Sequence, residues 1–209
     1  MKKLYIFDMD GTLLPGTTSN LEIAKVTKTE NELHGLEDLF SQGKINTKEF
    51  AQEIYKLWGM LDGEIIKRAF DSSFKLSNIK KVIKKLKMDS NICIIITMSP
   101  DFFANHFFSY GFDYIFASQF PKEKHESLDI SKILEPRDKP QIVLDLCEKL
   151  NLTYKDSIAF GDSMSDYYLF KELEYTVSVN GDSKIQERSK FQYEGNDLEE
   201  LFIKFGLFN

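Results

Sequence analysis

Leu4-Tyr5-Ile6-Phe7-Asp8-Met9-Asp10-Gly11-Thr12-Leu13 constrains this chain most. Four β-favouring apolar residues, Leu4 to Phe7, read as a strand buried on both faces. The run then stops at two carboxylates one residue apart, Asp8 and Asp10. In an open α/β sheet, ligands bind at the carboxyl ends of strands, so both acids are set where a site forms. Acids that close repel one another and hold protons unless a cation neutralises them. A divalent ion is the usual neutraliser, and phosphate binds readily to such an ion. One carboxylate then serves as a nucleophile and the other moves a proton. A polar turn after a strand is the plainer reading. A calcium loop fails, because its twelfth position counted from Asp8 is Ser19, where a bidentate Glu is required.

The 209 residues suit one large domain, or one domain carrying an insert. Hydrophobic residues make up 42%, with 18 Phe, enough for a sizeable core. Lys and Arg number 27 against 33 Asp and Glu, a net charge of −6. That balance argues against nucleic acid or an anionic membrane as partner. The start Met1-Lys2-Lys3-Leu4 imitates a signal peptide, but Asp8 and Asp10 interrupt the apolar run too early. With no transmembrane stretch, a cytoplasmic protein is expected, as monomer or homodimer. Cys93 and Cys147 read as buried thiols, and His34, His106 and His125 share no metal-ligand spacing.

Past Pro15-Gly16 the period turns helical. Residues 21–41 carry apolar positions at helical intervals, with a break expected at His34-Gly35. Asn46 and Glu49 form a capping box opening a helix with Phe50, Ile54, Leu57, Trp58 and Leu61 on one stripe. Asp62-Gly63 ends it, and a short helix follows around Ile65 to Phe70. Residues 76–87 place Leu76, Ile79, Val82, Ile83 and Leu86 opposite Lys80, Lys81, Lys84, Lys85 and Lys87, read as a solvated face.

Ile92 to Ile96 is a second strand, ending at Thr97-Met98-Ser99-Pro100-Asp101. Ser99 is expected to cap a helix whose first residue is Pro100 and which runs to Gly111. A third strand covers Tyr114 to Ala117. The polar residues 118–139 after it include Lys122, Lys124, His125 and Arg137, read as exposed. Lys139 differs, since it stands at the entrance of an amphipathic helix carrying Ile142, Val143, Leu146 and Leu150. A lysine aimed there at the acids would hold nucleophile and phosphate together. Ser157 to Phe160 is a fourth strand, followed by Gly161-Asp162-Ser163-Met164-Ser165-Asp166. Gly161 suits a tight turn, and Asp162 and Asp166 would join Asp8 at the sheet edge. Those two acids also suit the N-terminus of the helix from Tyr167 to Leu173. A fifth strand covers Tyr175 to Val179. Strands alternating with helices imply a doubly wound parallel sheet.

Asp8-x-Asp10-Gly11-Thr12, Thr97, Lys139 and Gly161-Asp162 with Asp166, in that order, resemble the haloacid dehalogenase superfamily of Asp-nucleophile phosphatases. The resemblance is to its phosphoserine-phosphatase-like branch. It implies a Rossmannoid α/β core with strand order 5-4-1-2-3, formed by residues 1–14 and 76–209. It also implies an all-α cap over residues 15–75. Asp8 is then the nucleophile of an aspartyl-phosphate mechanism and Asp10 the general acid and base. Mg²⁺ is held by Asp8, the Asp10 carbonyl and Asp162, with Asp166 in support. Thr97, its neighbour Met98 and Lys139 bind the phosphoryl oxygens. The branch carries Ser-x-Gly-Gly where this chain has Thr97-Met98-Ser99-Pro100. A Glu and an Arg that grip phosphoserine in that branch fall near Thr17 and Gln52 here, neither of which makes a charged grip. The expected substrate is therefore another small phosphomonoester. A phosphotransferase or mutase shares these motifs, a dehalogenase would need neither Asp10 nor a metal, and a non-catalytic metal- or phosphate-binding protein is the reading from another class.

Overall fold

A computed structural model describes residues 2–123 and 125–208, so Lys124 and Met1 lie outside the described residues. Among the described residues six parallel strands form one sheet: β1 (Leu4–Phe7), β2 (Ile92–Pro100), β3 (Tyr114–Ser118), β4 (Ser157–Gly161), β5 (Tyr175–Val179) and β6 (Phe191–Tyr193). Their order is β3-β2-β1-β4-β5-β6. The expected order holds, with β6 added beside β5. β6 is too short and too polar to stand out as a run: its three residues are Phe191, Gln192 and Tyr193.

All four residues of β1 are buried because the strand is paired on both sides. Leu4 faces Ile92 in β2 and Ser157 in β4, and Phe7 faces Ile95 and Phe160. The pleat sends alternate side chains to opposite layers. Tyr5 and Phe7 join a core closed by α5 (Ile79–Met88) and α10 (Leu198–Lys204). Leu4 and Ile6 join a second core under α7 (Asp138–Leu150), α8 (Tyr167–Glu172) and α9 (Ser183–Gln186). Cys93 and Cys147 are free and buried, one in each core.

Four helices lie between β1 and β2: α1 (Ser19–Thr27), α2 (Glu30–Ser41), α3 (Thr47–Trp58) and α4 (Gly63–Ser72). The single break expected at His34-Gly35 falls instead at Lys28, which closes α1 in the left-handed region (φ 61°), and Gly35 continues within α2. The capping box at Asn46 is formed, with Asn46 Oδ1 accepting from Lys48 N (2.9 Å) and Glu49 N (3.0 Å). α3 stops at Trp58, one turn earlier than its apolar stripe suggested, so Leu61 lies beyond it. The chain leaves the sheet layer and returns at adjacent points, since the Leu76 N–H donates to the Leu13 carbonyl (3.1 Å). The lysine face of α5 is partly engaged: Lys81 pairs with Glu199 (2.6 Å) and Lys87 with Asp113 (2.7 Å).

Strand β2 runs further than its apolar stretch predicts. Its register against β3 shifts between Ile96 and Pro100, where Pro100 meets Ser118. Ser99 and Pro100 are thus strand residues. The helix after them is brief, α6 (Asp101–Ala104), then a 3₁₀ segment over Asn105–Tyr110. Ser99 does not cap it. Among the described residues no helix is long and apolar enough to cross a membrane.

Candidate active site

The carboxyl ends of β1, β2 and β4 converge on one point. Asp8 follows β1, and its N–H donates to the Phe160 carbonyl at the end of β4 (2.9 Å), which fixes its backbone there. Lys139, in the first turn of α7, reaches the same point through the layer beneath. Its Nζ donates to Asp8 Oδ1 (2.8 Å) and to Asp166 Oδ1 (2.7 Å), and it is only 2% exposed. Burial works against that ammonium, but Asp166 and Asp8 more than offset it, so its pKa is held above the ordinary lysine range. Asp166 Oδ2 also accepts from the Asp162 N–H (3.2 Å), binding the segment from Gly161 to Asp166 together.

Asp8, Asp162 and Asp166 each offer an oxygen, all within 4.8 Å of one another. One lysine does not balance three acids. Burial pushes Asp8 well above the carboxylate range, which Lys139 opposes and Asp166 and Asp162 reinforce. Burial, then repulsion from Asp166, raises Asp162 to about 7, against a hydrogen bond from Thr12 Oγ1 (3.1 Å). Hard oxygen donors carrying unbalanced negative charge fit a Mg²⁺-sized cation.

Two glycines make this crowding possible. Gly11 sits at φ +76°, and a Cβ there would lie 2.1 Å from Asp162 Oδ2. A Cβ on Gly161 would lie 2.2 Å from Asp166 Oδ2. Gly161 is thus required for space rather than for the tight turn read from the sequence.

Asp10 is held differently. Oδ1 accepts from the Ser19 N–H (2.8 Å), and Oδ2 accepts from Ser19 Oγ (3.2 Å) and from Ser99 Oγ. Its carboxylate is therefore bound by three donors and stands outside the three-acid group. Burial raises its pKa, while the bonds from Ser99 and Ser19 lower it. The Ser99 and Ser19 contacts were missed in the sequence. Ser99 reads as a helix cap and Ser19 carries no role of its own in the sequence, so no local signal ties either to Asp10. Thr97 is buried within the carboxyl-terminal half of β2, and its Oγ1 accepts from the Ser99 N–H (3.2 Å), leaving its own proton to donate.

A cavity of about 570 Å³ opens above these groups. Its floor includes Asp8, Asp10, Thr97, Met98, Ser99 and Asp162, and its roof comes from α1, α2 and α3. Lys139 and Asp166 lie beneath the floor. Thr17 lines the cavity, but its hydroxyl is spent on buried Glu22 (2.6 Å). Gln52 is exposed and not part of the lining. His34 is exposed, with Nδ1 3.2 Å from Glu37 Oε2, and His106 stacks on Phe70. Arg137 Nε donates to the Tyr168 hydroxyl (3.2 Å).

The sequence matches the model of haloacid dehalogenase-like hydrolases over residues 5–171, which span every motif named above. The chain belongs to that family. As a haloacid dehalogenase-like hydrolase, it is 24% identical over 203 residues to a phosphoserine phosphatase of Methanocaldococcus jannaschii, covering 96% of both chains. Its fold matches a substrate-bound phosphoserine phosphatase with a TM-score of 0.81 at 22% identity, over 98% of each chain. It also matches a phospho-aspartyl intermediate analogue of phosphoserine phosphatase, with a TM-score of 0.80 at 22% identity.

Proposed function

We propose that this hydrolase cleaves a small phosphomonoester through an aspartyl-phosphate on Asp8, with Mg²⁺ as cofactor. The observation that carries the proposal is the division of labour between two neighbouring acids. Asp8 is bound to Lys139 and grouped with Asp162 and Asp166, whereas Asp10 is bound only by hydroxyl and amide donors. The first environment suits an ionised nucleophile next to a cation. The second, held by neutral hydroxyl and amide donors, suits a proton carrier.

Asp8 attacks phosphorus as the bond to the leaving oxygen breaks, and Asp10 gives that oxygen its proton. Asp10 then takes a proton from the water that attacks the acyl phosphate, releasing inorganic phosphate and restoring Asp8. Thr97 and Lys139 donate to the phosphoryl oxygens, with Met98 beside them on the cavity floor. Asp8, the Asp10 carbonyl and Asp162 would hold Mg²⁺, with Asp166 in support. When bound, the ion offsets the negative charge of carboxylates and phosphate. Residues 15–75 act as a cap on a core of residues 1–14 and 76–209, closing to exclude bulk water. The paired Leu13 and Leu76 at the base of the insert favour that division.

The test is phosphate release from 4-nitrophenyl phosphate with Mg²⁺. Exhaustive chelation and Asp8→Asn should each abolish it, and turnover surviving either sinks the proposal. Beryllofluoride with Mg²⁺ should raise the thermal stability of wild type and Asp10→Asn, but not of Asp8→Asn.

A further inference from the structure

Beyond the phosphate end, the cavity wall is mostly apolar: Leu21, Phe40, Phe50, Ile54 and Phe120 line it. The Phe40 and Phe50 rings lie 5.3 Å apart, centroid to centroid. Among the described residues this wall carries no lysine or arginine, and its one charged side chain is Glu37 from α2. Asn20 lines the same space, and its Oδ1 is buried with no hydrogen-bond partner among the described residues. An unpaired acceptor of this kind favours a ligand that brings a donor.

Two acceptors and an apolar wall define a ligand by complement. A carboxylate on the leaving group would meet Glu37 and no lysine or arginine on this wall, whereas an ammonium would find acceptors in Glu37, which already faces His34 (3.2 Å), and in Asn20. We infer that the substrate is the phosphate ester of an amino alcohol with an apolar body and no carboxylate. Glu37 is the residue that selects it. This rests on the phosphomonoester hydrolase reading above.

Three matched esters test it: phenyl phosphate, tyramine O-phosphate and O-phosphotyrosine, assayed at neutral pH with Mg²⁺ beside 4-nitrophenyl phosphate. In kcat/KM, tyramine O-phosphate should exceed both phenyl phosphate and O-phosphotyrosine by about tenfold, the factor about 1.4 kcal/mol supplies. The pair O-phosphoethanolamine and O-phosphoserine should show the same order. Glu37→Gln should bring tyramine O-phosphate and phenyl phosphate to within about twofold of each other, and Glu37→Arg should favour O-phosphotyrosine. O-phosphotyrosine matching tyramine O-phosphate in the wild type overturns the inference, as do ratios unmoved by both substitutions. In either case release from 4-nitrophenyl phosphate keeps the hydrolase reading. Release from none of the esters defeats that reading itself, and the inference with it.

Discussion

Replacing Lys139 with Met keeps most of the side chain's volume and removes its charge. The ammonium lies 2.8 Å from Asp8 and 2.7 Å from Asp166, both buried. At an effective dielectric of 20, each attraction is roughly 6 kcal/mol before the cost of desolvation. That cost consumes much of the gain, but removing one partner of a buried pair still destabilises by about 3–5 kcal/mol. For a chain of this size, about 1 kcal/mol moves Tm by roughly 2–4 °C, so Lys139→Met should melt roughly 6–20 °C lower in EDTA. The three remaining acids should then bind a cation more strongly, so adding Mg²⁺ should raise Tm more in the variant than in wild type. Asp8→Asn on top of Lys139→Met should recover part of the loss, because it removes an acid left unpaired. Circular dichroism melts with and without Mg²⁺ measure all of this. A Tm in EDTA within about 2 °C of wild type would refute the account of Lys139 as the buried counter-charge. A Mg²⁺ response no larger than that of wild type would do the same.

Asp162 gives a pH dependence with a definite sign. Its pKa is raised from 3.8 to about 7, so the folded chain keeps a proton that the unfolded chain has lost. The stabilisation is fully present below 3.8 and disappears as pH rises through about 7. Denaturant unfolding in EDTA should therefore show wild type losing stability relative to Asp162→Asn between about pH 4 and 7, with Mg²⁺ reducing the difference. Ser99→Ala leaves Asp10 held by Ser19 alone and should lower kcat by about threefold to tenfold with little change in KM, read by steady-state kinetics. Gly161→Ala puts a methyl where Asp166 Oδ2 now lies, and calorimetry should find Mg²⁺ binding weakened by about tenfold or more.

Strands β1, β2 and β4 were legible because each is an apolar run ending in a polar group with chemistry at hand. Lys139 was legible because a cation at a helix entrance stands out after a polar stretch. The split between α1 and α2 was not, since Lys28 in a left-handed turn leaves no mark that Gly would leave. Nor was the bond from Ser99 to Asp10, which joins residues 89 apart in sequence through the neighbouring ends of β1 and β2. The cavity was hidden for the same reason. Glu37, Phe50 and Phe120 come from separate elements, and only the packing of α2 and α3 over the sheet shows that they share one wall.

The central position of β1 has a consequence for synthesis of the chain. Leu4–Phe7 emerges before its partners β2 and β4, whose facing residues end at Ile95 and Phe160. At a translation rate of about 5–20 residues per second, the fourth strand follows roughly 8–30 seconds later. Until β2 is made both hydrogen-bonding edges of this apolar strand are open, and one stays open until β4 follows, a state that invites pairing with other chains. Lys2 and Lys3 stand on one side of it, and Asp8 and Asp10 on the other. Like charges on two nascent chains resist stacking in register, so the acids of the site also act as gatekeepers before there is a site.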